Sequence, residues 1–92
     1  MSQTPTQNHH QITVRYFASI REAIGQGSEP LQTSAATLGD LRDELIARGG
    51  AYASSLARGK AVRMALNQLL SEDGAALSDG AEVAFFPPVT GG

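Results

Sequence analysis

The sequence predicts an α+β domain in which a mixed sheet of about four to five strands packs on one main helix, and three observations carry that prediction. Apolar and polar residues alternate along Ile12-Thr13-Val14-Arg15-Tyr16 and again from Glu82 to Phe86, the period of strands that bury one face. A single convincing amphipathic segment begins at Thr37, with Leu38, Leu41, Leu45 and Ile46 on one helical face. The apolar run from Val62 to Leu70 is broken by Asn67-Gln68, which suits a strand, a tight turn and a return strand.

Residues 1–11 are polar, contain Pro5 and show no period, so they are expected to form a disordered arm. The adjacent His9 and His10 lack the further ligands a metal site needs and read as solvated. The domain proper is expected over 12–86. In its first strand Ile12, Val14 and Tyr16 face one side and Phe17 the other. Ala18 to Ile24, closed by Gly25 and Gly27, suggests a turn of helix and a loop, and Ser28 to Gln32 a short returning strand. Thr37-Leu38-Gly39-Asp40 resembles a capping box with Asp in place of Glu, while Arg48 in the last turn and Gly49-Gly50 beyond it supply the stop. Asp40, Asp43 and Glu44 lie near the helix start, where negative charge suits the dipole, and are read as structural. Tyr52 to Leu56 forms a further short turn, and Asp73-Gly74 and Asp79-Gly80 mark two more turns. In the final strand Val83 and Phe85 share one face, Ala84 and Phe86 the other. One mixed sheet wrapped over a single helix satisfies this order, a β-grasp, or ubiquitin-like, arrangement.

A domain of this size buries about 60% of its unfolded surface, enough for one modest core and hardly a deep enclosed active site. Seven basic against nine acidic residues, with no basic block, disfavour nucleic-acid and membrane-surface partners. The absence of cysteine removes disulfides, thiolate metal sites and a cysteine nucleophile, and no metal site is expected. Neither a signal peptide nor a segment of membrane-spanning length is evident, so a cytoplasmic protein is expected.

The run Phe85-Phe86-Pro87-Pro88-Val89-Thr90-Gly91-Gly92 is the most informative part of the chain. Residues 87–92 form an extended tail whose two prolines stiffen the root, because each fixes φ and pushes its predecessor toward extended geometry. Gly91 and Gly92 can enter a slot too narrow for any side chain. At about 3.3–3.6 Å per residue the tail can carry the Gly92 carboxylate on the order of 20 Å past the last strand. If the chain does chemistry, that carboxylate is the expected reactive group. A carboxylate is a poor electrophile, and adenylation supplies the leaving group it lacks. No GxxxxGK[ST] sequence is present, so activation falls to a partner that handles ATP.

Phe17-Ala18-Ser19-Ile20-Arg21-Glu22 after the first strand, the Thr37-Leu38-x-x-Leu41 helix start, Ala65-Leu66-Asn67-Gln68, Leu77-Ser78-Asp79-Gly80-x-Glu82-Val83-Ala84 and the run from Phe85 to Gly92 together resemble one family. It is the sulfur-carrying small subunits of molybdopterin synthase, the MoaD family. The match is collinear from about Ile12 to Gly92, with only the N-terminal arm outside it. The resemblance implies that an E1-like adenylyltransferase, using ATP, activates the Gly92 carboxylate and that a sulfur donor protein converts it to a thiocarboxylate. It further implies that Pro87, Pro88, Val89, Thr90 and Gly91 thread into the active site of the large synthase subunit. There sulfur would pass to cyclic pyranopterin monophosphate, two transfers making the dithiolene of molybdopterin. The catalytic residues would belong to the large subunit, the assembly would be a heterotetramer, and no cofactor would be bound permanently.

Phe17 and Phe86 point away from the buried strand faces by parity, and exposed aromatics suggest docking anchors. The resemblance places the matching positions, with Leu70, on the partner-contact surface. Arg21, Lys60 and Arg63 are candidates for pairing with acidic groups of partners. Three other functions share parts of this pattern: a sulfur carrier for thiazole synthesis, a ubiquitin-like protein modifier, and an inert β-grasp interaction module.

Overall fold

The computed structural model describes residues 9–88. The arm expected at its N-terminal end therefore lies outside the described residues up to position 8, as do Val89, Thr90, Gly91 and Gly92 of the tail. The elements run β1 (His10–Tyr16), α1 (Ala18–Ile24), β2 (Ser28–Thr33), α2 (Leu38–Ile46), α3 (Gly50–Leu56), β3 (Arg63–Leu66), β4 (Leu69–Ser71) and β5 (Glu82–Phe86). The sheet order is β2-β1-β5-β3-β4, with β1 and β5 parallel at the centre and the other neighbours antiparallel. This is the β-grasp arrangement, with five strands and α2 as its longest helix.

Strand alternation makes the core. Ile12, Val14 and Tyr16 of β1, Met64 of β3, and Val83 and Phe85 of β5 are buried on one face of the sheet. Leu38, Leu41 and Leu45 of α2, Ile20 of α1 and Leu56 of α3 cover that face in a single cluster. Each fully buried Leu or Val side chain contributes about 1.5–3 kcal/mol relative to exposure. Tyr16 stacks on Phe85 with ring centroids 6.2 Å apart, tying the parallel central pair together through its side chains.

Local chemistry accounts for the boundaries. Thr37 caps α2 by accepting from the Asp40 amide at 3.2 Å. Asn67 and Gln68 both have positive φ, 51° and 70°, the requirement of a two-residue turn that matches strand twist. Asn67 also clasps β5, its amide donating to the Glu82 carbonyl at 2.8 Å and its Oδ1 accepting from the Glu82 amide at 3.0 Å.

Four details differ from the sequence reading. β1 begins at His10, so His10 and Gln11 belong to the sheet rather than the arm. The Asp79-Gly80 turn holds them there: the Gln11 amide donates to Asp79 Oδ1 at 2.6 Å and its carbonyl accepts from the Gly80 amide at 2.8 Å. Arg48 lies past the end of α2, and its guanidinium goes to Glu29 instead of to the last helical carbonyls. Asp43 and Glu44 sit in the second half of α2, where Asp43 pairs with Arg58 and Glu44 accepts from the Thr33 hydroxyl. Gly49 and Gly50, with φ of 77° and 56°, turn the chain directly into α3, which starts at Gly50 and is longer than the turn expected from Tyr52.

Candidate docking groove and tail root

The face of the sheet away from the helices is built from the residues that alternate with the core. Register places Arg15, Ala84, Ala65 and Leu70 in one row across β1, β5, β3 and β4, and Arg63 beside Phe86 in the next. Alanine at both central positions keeps the floor low. Over it lies a groove of about 760 Å³, with Ala84 beneath and Phe17, Phe86, Pro87 and Pro88 along the apolar wall. Arg15, Ala18, Gln68 and Glu82 complete the rim.

Each wall is fixed from below. The Phe17 amide donates to the Phe85 carbonyl at 3.2 Å, which holds the first aromatic against the last strand. Phe17 remains 40% exposed, and the Arg15 guanidinium lies 5.5 Å from its ring centroid. Arg15 also reaches Glu82 Oε2 at 3.4 Å, a partly exposed pair that adds direction more than energy. Ala18 adopts φ of 52°, a left-handed angle costly for a residue with a Cβ, at the point where the chain leaves β1 for α1. Pro87 faces two hollows, since it also lines a cleft of about 320 Å³ with Lys60, Ser54 and Ser55.

On the helix-covered side of β1, opposite the groove, lies a polar cluster. Glu29 accepts from the Tyr16 hydroxyl at 2.7 Å, the Tyr52 hydroxyl at 2.9 Å and Arg48 Nη1 at 3.3 Å. Burial pushes the Glu29 carboxyl up, but the hydrogen bonds from Tyr16, Tyr52 and Arg48 outweigh it and hold the group below its ordinary value. Burial, and then the bond to Glu29, raise the Tyr16 phenol well above the usual tyrosine range.

The structure thus brings Phe17, Phe86, Pro87 and Pro88 into one groove. Leu70 is on the same sheet face, 66% exposed on the edge strand, but outside that groove. Arg21 is exposed on α1, away from the groove wall. Gly92, Gly91, Thr90 and Val89 lie outside the described residues. Arg15 and Ala18 were not expected at the site, and Gln68 was read only as a turn residue; alternation put Arg15 on the Phe86 side, and that was the available signal. The groove can cover apolar side chains of a partner and orient them by Arg15 and Glu82 at its rim. Among the described residues no group of His, Cys, Asp or Glu could hold a metal ion, and no helix is long and apolar enough to cross a membrane.

Comparison with known proteins gives this geometry its context. The ThiS family model matches residues 14–92. The molybdopterin synthase sulfur carrier subunit of Haemophilus influenzae is 41% identical over 81 residues, covering 88% of this chain and 99% of that protein. The solution structure of the Haloferax volcanii HVO 2177 protein superposes with a TM-score of 0.76 at 28% identity, over 99% of this chain and 94% of its own. A chain of the Helicobacter pylori complex of subunits 1 and 2 of molybdopterin-converting factor superposes with a TM-score of 0.60 at 29% identity, over 89% of this chain and 99% of its own. The sequence therefore belongs to the ThiS family, with molybdopterin synthase sulfur carrier subunits among its relatives.

Proposed function

We propose that this chain is the sulfur carrier subunit of a molybdopterin synthase and acts in the cytoplasm. The observation that carries the reading is the 41% identity to a curated sulfur carrier along 99% of that protein's length. In this reading the Gly92 carboxylate oxygen attacks the α-phosphorus of ATP on an E1-like adenylyltransferase, and pyrophosphate leaves. Sulfur at the sulfide level, supplied by a sulfur donor protein, then attacks the acyl carbon and displaces AMP, forming the thiocarboxylate with no change of oxidation state. The large synthase subunit covers the groove, with Phe17 and Phe86 as anchors and Leu70 and Arg21 at the margin. Pro87 and Pro88 aim Val89 to Gly92 into its active site, where sulfur passes to cyclic pyranopterin monophosphate. The family model's match through residue 92 and the complex of subunits in Helicobacter pylori support this assignment.

The test has two stages. After incubation with ATP, an activating enzyme and a sulfur source, cleavage after Glu82 releases Val83 to Gly92, a peptide without methionine. An oxygen-for-sulfur mass change in that peptide is expected, with an authentic carrier modified in parallel; an unmodified peptide would reject the carrier reading. Reconstitution with the large subunit and the pterin precursor is then expected to give the dithiolene. A thiocarboxylate without that product would assign the carrier to another acceptor, such as the thiazole pathway, and isopeptide attachment to lysines would mark a modifier.

A further inference from the structure

Arg42 is a buried cation without a carboxylate partner of its own. Its residue is 6% exposed, and its guanidinium is spent on carbonyls: Nε donates to Leu56 at 2.7 Å, and Nη2 to Ala57 at 2.7 Å and to Lys60 at 3.3 Å. Among the described residues Nη1 makes no hydrogen bond. The carboxylates of Asp43 and Asp73 are nearby, but both are held by Arg58. Its hydrogen bonds go only to neutral carbonyls, with Asp43 and Asp73 acting on it through space, so its remaining donor is open to an anionic acceptor in direct contact.

Arg42 also forms part of the wall of an open cleft of about 490 Å³ at the base of the β3–β4 hairpin. Arg63 and Ser71 line the same cleft and offer a second cation and a hydroxyl, while Glu72 and Asp73 oppose an anion there. Arg58 pairs with Asp73 but is shared with Asp43, so Asp73 is only partly screened and adds to the repulsion from Glu72. The cleft is separate from the aromatic groove, although Leu70 stands on its rim.

We infer that this cleft is a carboxylate-binding site, in which one carboxylate oxygen takes the remaining Arg42 donor and the other faces Arg63 and Ser71. The carboxylate is either that of a small free acid or an acidic side chain of a protein docked over Leu70. With Nε and Nη2 already engaged, Arg42 offers one charge-assisted N–H···O bond, which leaves the second carboxylate oxygen for Arg63 and Ser71.

The test is an NMR titration of the full chain with sodium acetate at fixed ionic strength, with sodium chloride as the matched control. The Arg42 Nε–H resonance, sheltered by its bond to Leu56, and the amides of Arg63 and Ser71 are the reporters. Saturable shifts confined to acetate are expected. Removing one exposed charge should change the affinity about two- to fivefold, weaker in Arg63→Gln and tighter in Glu72→Gln. Shifts that are linear, that match chloride, or that ignore both variants would overturn the site. Competition separates the sources: acetate weakening the binding of the large synthase subunit more than chloride does identifies a partner side chain, and binding equal in both salts identifies a free acid. The first titration needs only the isolated chain, so its failure leaves the proposed sulfur-carrier function untouched.

Discussion

Two residues store opposite kinds of information. Ala18 holds φ of 52° at the rim of the groove, and a left-handed angle costs a residue with a Cβ about 1–2 kcal/mol. Ala18→Gly is therefore expected to raise stability by up to about 1 kcal/mol, read as a higher urea midpoint at unchanged slope. A lower midpoint would show that the Cβ packs favourably there. Glu29 works the other way. Its folded pKa is depressed below the ordinary 4.5, so its stabilising effect is complete above that value and is lost as pH falls through the folded one. Glu29→Gln should cost about 1–3 kcal/mol at neutral pH. As pH falls below the ordinary 4.5 and through the lower folded value, the difference from the parent should shrink, as charge is lost from the parent alone. A difference that stays constant as the parent is acidified would mean that shape, not charge, matters at Glu29. Neither residue was recognisable beforehand. Glu29 meets Tyr16 and Tyr52 across separations of 13 and 23 positions, and strand period gives no distance between elements.

Elements were easier to read than residues because their signals are local. The Thr37 cap, the Asn67-Gln68 turn and the alternation in β1 and β5 each depend on neighbours within a few positions, and each formed where expected. The boundaries that moved were set from a distance. β1 gained His10 and Gln11 through a turn 68 positions away, and α3 gained its first turn from two glycines expected only to stop α2. The β3–β4 turn offers a paired prediction. Gln68→Gly should stabilise by about 0.5–1 kcal/mol, since glycine takes positive φ without a Cβ penalty. Asn67→Ala should destabilise by about 1–3 kcal/mol, because it leaves the Glu82 amide without its acceptor as well as straining the turn. Urea unfolding of both variants checks the pair, and equal losses in the two would contradict the assigned roles.

At the scale of the whole molecule, parallel pairing of β1 with β5 joins the two ends of the domain. That pairing sets Phe17 beside Phe86 although 69 positions separate them, and it puts the tail root at the open face. The sequence showed each aromatic facing outward, but only the sheet order shows that they share one groove and that Leu70 does not. Under the proposed function this arrangement separates folding from function. Phe86 lies outside the buried cluster, and Gly91 lies past the last strand. Phe86→Ala should therefore weaken binding of the large synthase subunit by about 1–3 kcal/mol while the unfolding midpoint moves little. Gly91→Val should leave docking on the groove and the fold intact but abolish thiocarboxylate formation, because a β-branched side chain would not enter the narrow slot proposed for the activating partner. Calorimetric titration and mass spectrometry on the same two variants divide the outcomes. Loss of binding in Phe86→Ala with normal activation, and loss of activation in Gly91→Val with normal binding, would locate docking in the sheet face and chemistry in the tail. Full thiocarboxylate yield from Gly91→Val would remove the narrow-slot argument, and unaltered affinity in Phe86→Ala would return that ring to the ordinary surface.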